Sequence, residues 1–350
     1  MNRFLEEIHE QPEALRETLS LYMDEEVMEV MDELVSTLNA GGIDKVIFTG
    51  MGSSYFVSYA AAILLSCMGK RAVATNAGEL LHYGYPVIDN RTLLVCISQS
   101  GESFEIKKLL KKKEPHTLCI GITNNEKSTL GHNANMVLPV KAGIEDMTST
   151  KTFITTLLVS YLLGWKIAGV WDEELAKRLR KLPVQFEHGL HSLPETVEKA
   201  LDFMGDLNAL PLIARGPAFC TASQSALMFK EAVKIPAFSI LGGEFRHGPM
   251  EMVQPGVKTI LFAPAGKTFD QSLKMAKNIA GFGGRVLLIT DSGTKLTDEN
   301  IYVIKVPGGN EFLFSITGIL PLQLMVDTYA KRMRFEAGSF SRGAKITKTE

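Results

Sequence analysis

Apolar residues in this chain fall into short continuous runs that alternate with longer stretches of helical spacing. Lys45-Val46-Ile47-Phe48-Thr49-Gly50 reads as a strand ending in glycine, followed by helical sequence from Tyr55 to Met68. Thr92-Leu93-Leu94-Val95-Cys96-Ile97 reads as a fully buried second strand, Thr117 to Thr123 as a third and Asn135 to Val140 as a fourth. A long apolar helix is predicted from about Lys151 to Val170. The order then starts again. Leu210 to Gly216 ends a strand in glycine, helical sequence runs from Ala222 to Val233, and Thr259 to Ala263, Val286 to Thr290 and Ile301 to Val306 read as strands. Phe312 to Tyr329 reads as the closing apolar helix. Matching elements stay roughly 165 residues apart, as a duplicated domain requires. Strands alternating with helices predict two tandem α/β units, each a doubly wound parallel sheet flanked by helices. The expected boundaries are 1–40 for an N-terminal helical segment, 41–195 and 196–335 for the two units, and 336–350 for a C-terminal tail.

Composition narrows this picture. The chain has 350 residues, 45% of them hydrophobic, enough for two ordinary domains. A net charge of -2 with no long basic block argues against a nucleic-acid surface. Lys111-Lys112-Lys113 reads as a solvated helix end. No apolar run is expected to be long enough to cross a bilayer. The start, Met1 to Glu7, is acidic and amphipathic, unlike a signal peptide. Cys67, Cys96, Cys119 and Cys220 are scattered without metal-ligand spacing and read as buried small hydrophobes in a reducing compartment. A cytoplasmic enzyme or binding protein is expected, with no nucleic acid, membrane or cofactor.

The chemistry concentrates where strands turn into helices. Ser98-Gln99-Ser100-Gly101-Glu102-Ser103 joins the buried run Thr92–Ile97 to the helical sequence Phe104 to Leu110. Backbone N–H groups at a helix start lack intrahelical partners, and the helix dipole adds partial positive charge. Small hydroxyl side chains add donors without blocking access. This composition suits a phosphate cradle, and without a lysine it suits a sugar phosphate better than a nucleoside triphosphate. The same residues also suit a plain N-cap with a polar loop. The loop after Gly50, Met51-Gly52-Ser53-Ser54, lies at the same end of its strand and adds glycines and hydroxyls. No G-x-G-x-x-G dinucleotide fingerprint is present in it. His188 and His191 share one helix face without an evident third ligand and read as solvated residues.

The succession of G-x-G-S-S motif, Ser98-Gln99-Ser100-Gly101-Glu102-Ser103 and Ser149-Thr150-Lys151-Thr152-Phe153 resembles the sugar isomerase (SIS) family. The closer resemblance is to the isomerase domain of glucosamine-6-phosphate synthases. Glu7 to Leu15, Gly243-Glu244-Phe245-Arg246-His247-Gly248-Pro249 and the ending Ala344 to Glu350 share it, so it covers essentially the whole chain. No counterpart of the synthase glutaminase domain is expected, because no cysteine follows Met1. The resemblance therefore extends to stand-alone glucosamine-6-phosphate deaminases and fructosamine-6-phosphate deglycases. It implies an enzyme that opens a sugar-phosphate ring and moves a proton between C1 and C2, with SIS-type sugar-phosphate sensors as the non-catalytic alternative.

By this resemblance Glu231 is the C1–C2 base, His247 opens the ring and Lys345 in the tail contacts the open-chain sugar. Ser98, Gln99, Ser100 and Ser103 would hold phosphate and hydroxyls. Ser53 and Ser54, Ser149 and the backbone near Met147 would hold the sugar. Family members often supply the histidine from a neighbouring subunit, which implies a homodimer. By residue type alone, Glu231 suits an ordinary helix glutamate, His247 a surface residue, and Ser149 and Thr150 helix caps. Two positions depart from the synthase pattern: Met228 replaces a lysine and Gln224 a glutamate, softening the polar wall expected beside C1 or the amino group. Ile235 and Phe238 are expected to shelter Glu231. These changes favour a deaminase or a deglycase over a synthase.

Overall fold

The computed structural model describes residues 2–338. They form two compact units, the first from residues 10–145 and 149–183, the second from 2–9, 146–148 and 184–338.

The first unit holds strands β1 (Lys45–Gly50), β2 (Ala72–Asn76), β3 (Thr92–Ile97), β4 (Leu118–Thr123) and β5 (Met136–Pro139). They form a fully parallel sheet in the order β2-β1-β3-β4-β5. β3 is buried along its whole length, as its continuous apolar run requires. Ile47, Leu94, Cys96, Ile106, Leu109 and Leu130 pack into one core. Each fully buried leucine of this kind contributes roughly 1.5–3 kcal/mol relative to exposure. The apolar helix Lys151–Ala168 is buried from Lys151 to Lys166 and packs on helix Ser53–Cys67. Gly164 permits the close approach, since a Cβ there would lie 2.9 Å from Leu64 Cδ2.

The second unit repeats the plan with β6 (Leu210–Ala214), β7 (Ala237–Leu241), β8 (Lys258–Phe262), β9 (Arg285–Thr290) and β10 (Ile301–Lys305). The parallel order β7-β6-β8-β9-β10 is the same topology. Ile213, Phe245, Leu261, Ile279, Val286 and Leu288 lie in its core. The duplication reaches individual hydrogen bonds. Thr123 at the end of β4 donates its hydroxyl to the Gln99 carbonyl (3.2 Å), and Thr290 at the end of β9 donates to the Ala263 carbonyl (2.6 Å). Each threonine also accepts the N–H two residues on, from Asn125 and Ser292.

Four sequence expectations need correction. β2 and β7 are additional strands, one beside the first strand of each unit. The closing helix is two helices, Glu311–Thr317 and Leu320–Arg332, broken at Gly318 and restarted with Pro321 in its first turn. By length and composition the stretch Glu311–Arg332 is apolar enough to cross a membrane, contrary to the expectation that no run is, but 89% of its most apolar window is buried inside the protein. Cys67 is exposed, whereas the other three cysteines are buried as expected.

Candidate functional site

β1 and β3 are paired with Thr49 opposite Cys96, so the loops that follow them leave the sheet side by side. The strand order reverses here, and ligands of open α/β sheets bind outside the carboxyl ends of the strands at such a point. Ser98 is buried and donates its N–H to the Ile122 carbonyl at 3.0 Å. Its hydroxyl accepts the Gly101 N–H at 3.1 Å and shares a hydrogen bond with the Ser103 hydroxyl at 3.0 Å. Ser100 accepts the Glu102 N–H at 3.2 Å. The Gln99 carbonyl accepts from the Thr123 hydroxyl and the Asn124 N–H. Gly101 turns the loop at φ +66°, and a Cβ there would overlap the Ser128 hydroxyl.

This geometry leaves the next helix open. Ser103 is the N-cap of helix Phe104–Lys112, yet its hydroxyl is turned to Ser98 and no side chain caps the first turn. The first amides and the positive end of the dipole therefore face outward, the arrangement that binds anions. The one carboxylate in the loop is engaged elsewhere. Glu102 accepts the Thr129 N–H (2.6 Å) and hydroxyl (3.0 Å), contacts that, with Lys107, hold its carboxyl below the ordinary glutamate range. The neighbouring loop adds Gly52, at φ +52°, as the N-cap of helix Ser53–Cys67, again without a side-chain cap. Ser53 and Ser54 are half-buried, and their hydroxyls have no partner among the described residues.

Ser149 stands in the first unit before helix Lys151–Ala168, sharing a 2.6 Å hydrogen bond with the Thr152 hydroxyl. Thr150 is the N-cap residue of that helix but makes no side-chain capping bond; the N–H groups of Thr150 (2.9 Å) and Thr152 (3.0 Å) are accepted by Glu145, a buried carboxylate. Glu145 is a residue the sequence reading missed.

Glu231, His247 and Met147 belong to the second unit. Glu231 lies in the last turn of helix Ala218–Val233, which packs against β7, and it is half-buried. Its carboxylate accepts a hydrogen bond from the hydroxyl of Thr148. Thr148 is buried, and the loop that carries it is fixed by Glu7, also fully buried. Glu7 accepts the Asp146 N–H at 2.5 Å and the Met147 N–H at 3.3 Å. The Met147 amide is thus engaged by Glu7. His247 is exposed and follows the short helix Gly242–Arg246, directly after β7. Beneath this turn lies Arg215, the residue after β6. Gly242 makes room for it, since a Cβ there would lie 2.8 Å from the Arg215 Nε.

Two further expectations differ. Phe238 does not shelter Glu231 from water: it is 42% exposed on β7, while Ile235 is buried. Met228 and Gln224 are both fully buried, where open space beside a sugar was expected. Lys345 lies outside the described residues.

The comparisons with known proteins agree with the duplicated fold. The SIS domain family matches residues 42–164 and 208–329, and the chain belongs to that family. Within it, the chain is 30% identical over 327 residues to the glutamine–fructose-6-phosphate aminotransferase (isomerizing) of Pyrococcus horikoshii, covering 92% of this chain and 53% of that protein. The chain thus spans about half the length of the curated relative. The C-terminal domain of the glucosamine-fructose-6-phosphate aminotransferase from Francisella tularensis has the same fold, with a TM-score of 0.86 at 23% identity over 97% of this chain and 98% of that one. So does a glucosamine-6-phosphate deaminase from Thermotoga maritima, with a TM-score of 0.75 at 21% identity over 99% of each chain.

Proposed function

We propose that this protein is a phosphosugar isomerase that acts on a hexosamine 6-phosphate and releases its nitrogen as ammonia. The observation that carries the reading is the Ser98–Ser103 loop. It combines an uncapped helix start, small hydroxyls and an engaged carboxylate at the strand ends where such folds bind ligands. In this reading Ser53, Ser54, Ser98, Gln99, Ser100, Ser103 and Ser149 hold the phosphate and the sugar hydroxyls. His247 assists ring opening, a task that suits a side chain able both to give and to take a proton. Glu231 then removes the proton on C2 of the open-chain aldose. The electron pair of that C–H bond forms the C1–C2 double bond, and the aldehyde oxygen takes up a proton. Return of the proton to C1 leaves an imine at C2, which adds water and releases ammonia and a ketose phosphate. Lys345 would hold the open chain. A homodimer belongs to this reading, with His247 supplied across subunits.

A second reading is a fructosamine-6-phosphate deglycase, which would release an amine in place of ammonia. It rests on the departure of Met228 and Gln224 from the charged synthase pattern, although both side chains are fully buried. Incubation with glucosamine 6-phosphate and with fructoselysine 6-phosphate, with ammonia, free amine and hexose phosphate measured, separates the two. Ammonia from the first sugar supports the deaminase, and lysine from the second supports the deglycase. Intact sugar in both, from folded protein that still binds it, identifies a sensor and rejects both.

A further inference from the structure

Glu7 reads in the sequence as one more acid of an amphipathic N-terminal helix, yet in the fold it is completely buried. A buried carboxylate needs donors to remain. Glu7 finds them in the N–H of Asp146 (2.5 Å), the N–H of Met147 (3.3 Å to each oxygen) and the guanidinium of Arg3 (3.3 Å). Arg3 also reaches the carboxylate of Asp146 at 3.3 Å. Successive amides of one loop are thereby pinned to one side chain of helix Arg3–His9. The next residue is Thr148, 2% exposed, and its hydroxyl donates to Oε2 of Glu231. Burial matters here, because a hydroxyl shielded from water keeps one partner and one direction.

We propose that Thr148 is a positioning residue for Glu231, and that Glu7 sets Thr148 in place. The proposal rests on the reading of Glu231 as the proton-transfer base. A threonine hydroxyl on one carboxylate oxygen fixes the rotation of the group and leaves the other oxygen to meet the C–H bond. A carboxylate free to rotate would spend most of its time misdirected, and small misplacements of a reacting group are costly in rate. The relay runs by hydrogen bonds from Glu7 to the amides of Asp146 and Met147, along the chain to Thr148, and by its hydroxyl to the base.

The test uses the full chain and reads proton transfer directly, as deuterium uptake from heavy water into C1 of fructose 6-phosphate and as turnover of glucosamine 6-phosphate. Thr148→Val preserves shape and removes the donor. It is expected to lower kcat by about 10- to 100-fold, the loss typical of a hydrogen bond to a charged group, with KM changed less than about threefold. Thr148→Ser restores the hydroxyl and is expected to recover most of the rate, which a packing defect would not do. Glu7→Gln is expected to follow Thr148→Val in kcat, and a melting curve shows whether it remains folded. Normal kcat in Thr148→Val overturns the proposal, as does failure of Thr148→Ser to recover. Glu231→Gln separates the two levels. If it retains turnover, or if the unaltered chain turns over neither sugar, the assignment of the base falls and takes the relay with it. If it is inactive while Thr148→Val is normal, only the relay is wrong.

Discussion

The loop after β3 and the loop after β8 occupy the same place in the two copies of one fold, and both lead into a helix without a side-chain cap, yet only the second has carboxylates from outside the loop packed against it. Ser98–Ser103 keeps its carboxylate turned to Thr129 and leaves the helix start uncapped. In Ala263–Thr268 the protein's own carboxylates occupy the equivalent space. Asp291, following β9, accepts the Ala265 N–H at 2.6 Å. Glu311 packs on Gly266 and is hydrogen-bonded to the Lys267 backbone. In the first copy the residue after β4 is Asn124, a neutral amide that accepts the Ala142 N–H. Two negative groups beside a loop repel a phosphate as effectively as exposed amides attract one. Duplication preserved the sheet, the threonine ties and the loop positions, whereas the charge beside each loop diverged. The second copy carries Glu231 instead.

The largest expected effect comes from glycine substitutions at matched positions. Gly101→Ala forces a Cβ into the Ser128 hydroxyl and a side chain into the left-handed region. A destabilisation of about 2–4 kcal/mol is expected from strain and overpacking together. Affinity for glucosamine 6-phosphate should fall on the order of 100-fold, or about 2.7 kcal/mol. Gly266→Ala meets Cγ and Cδ of Glu311 at 2.5 Å, in a flexible side chain that can swing away. Its cost should stay below about 1 kcal/mol, with affinity unchanged. Urea denaturation and titration calorimetry measure both. Equal losses of affinity would mean that both loops bind, and the contrast would be lost.

Next in size are the paired threonines. Thr123→Val and Thr290→Val each remove a hydroxyl that donates to the neighbouring loop's carbonyl. Each should cost about 1 kcal/mol of stability, or about 2 kcal/mol where the freed carbonyl finds no water. Only Thr123→Val should also weaken sugar-phosphate binding, by about 3- to 10-fold, because its loop is the one proposed to hold the phosphate. A matched loss of affinity in Thr290→Val would break the comparison.

The sequence made the central strands and the Ser98–Ser103 loop legible because both are local. β3 and β4 are short apolar runs whose side chains are buried on both faces of a sheet. The edge strands β2 and β7 were not legible. Ala72–Asn76 has no fully buried residue and in Ala237–Leu241 only Ala237 is buried, and in sequence each apolar stretch is short and interrupted by a polar residue. The break at Gly318 within the closing helix was hidden by apolar residues on both sides of it. For the site, loop chemistry pointed to Ser98–Ser103, and resemblance to Glu231 and His247. Thr148 and Glu7 carry no local signal. Their partners lie 83 and 139 positions away, and a glutamate in an amphipathic helix looks solvated until the fold closes over it.

The smallest effect tests whether the carboxylates beside the second loop are tolerated rather than favoured. Burial pushes the Glu311 carboxyl up from its ordinary range, against the pull of the Lys267 amide and charge, and Asp291 adds to the rise. A carboxyl raised in the folded state binds its proton more tightly there than in the unfolded chain. The folded state is therefore favoured at low pH, and that advantage is lost as pH rises through the folded value. Glu311→Gln removes the penalty of holding a charge in that place. It should raise stability at neutral pH by less than about 1 kcal/mol, since the side chain is partly open to screening water. The gain should vanish below pH 4.5, the ordinary value for this group, where the native glutamate is itself protonated. Melting curves from pH 4 to pH 8 make the measurement. A variant less stable than the parent at neutral pH would show that Glu311 is a favourable anchor of the loop, and that the second copy was filled for stability.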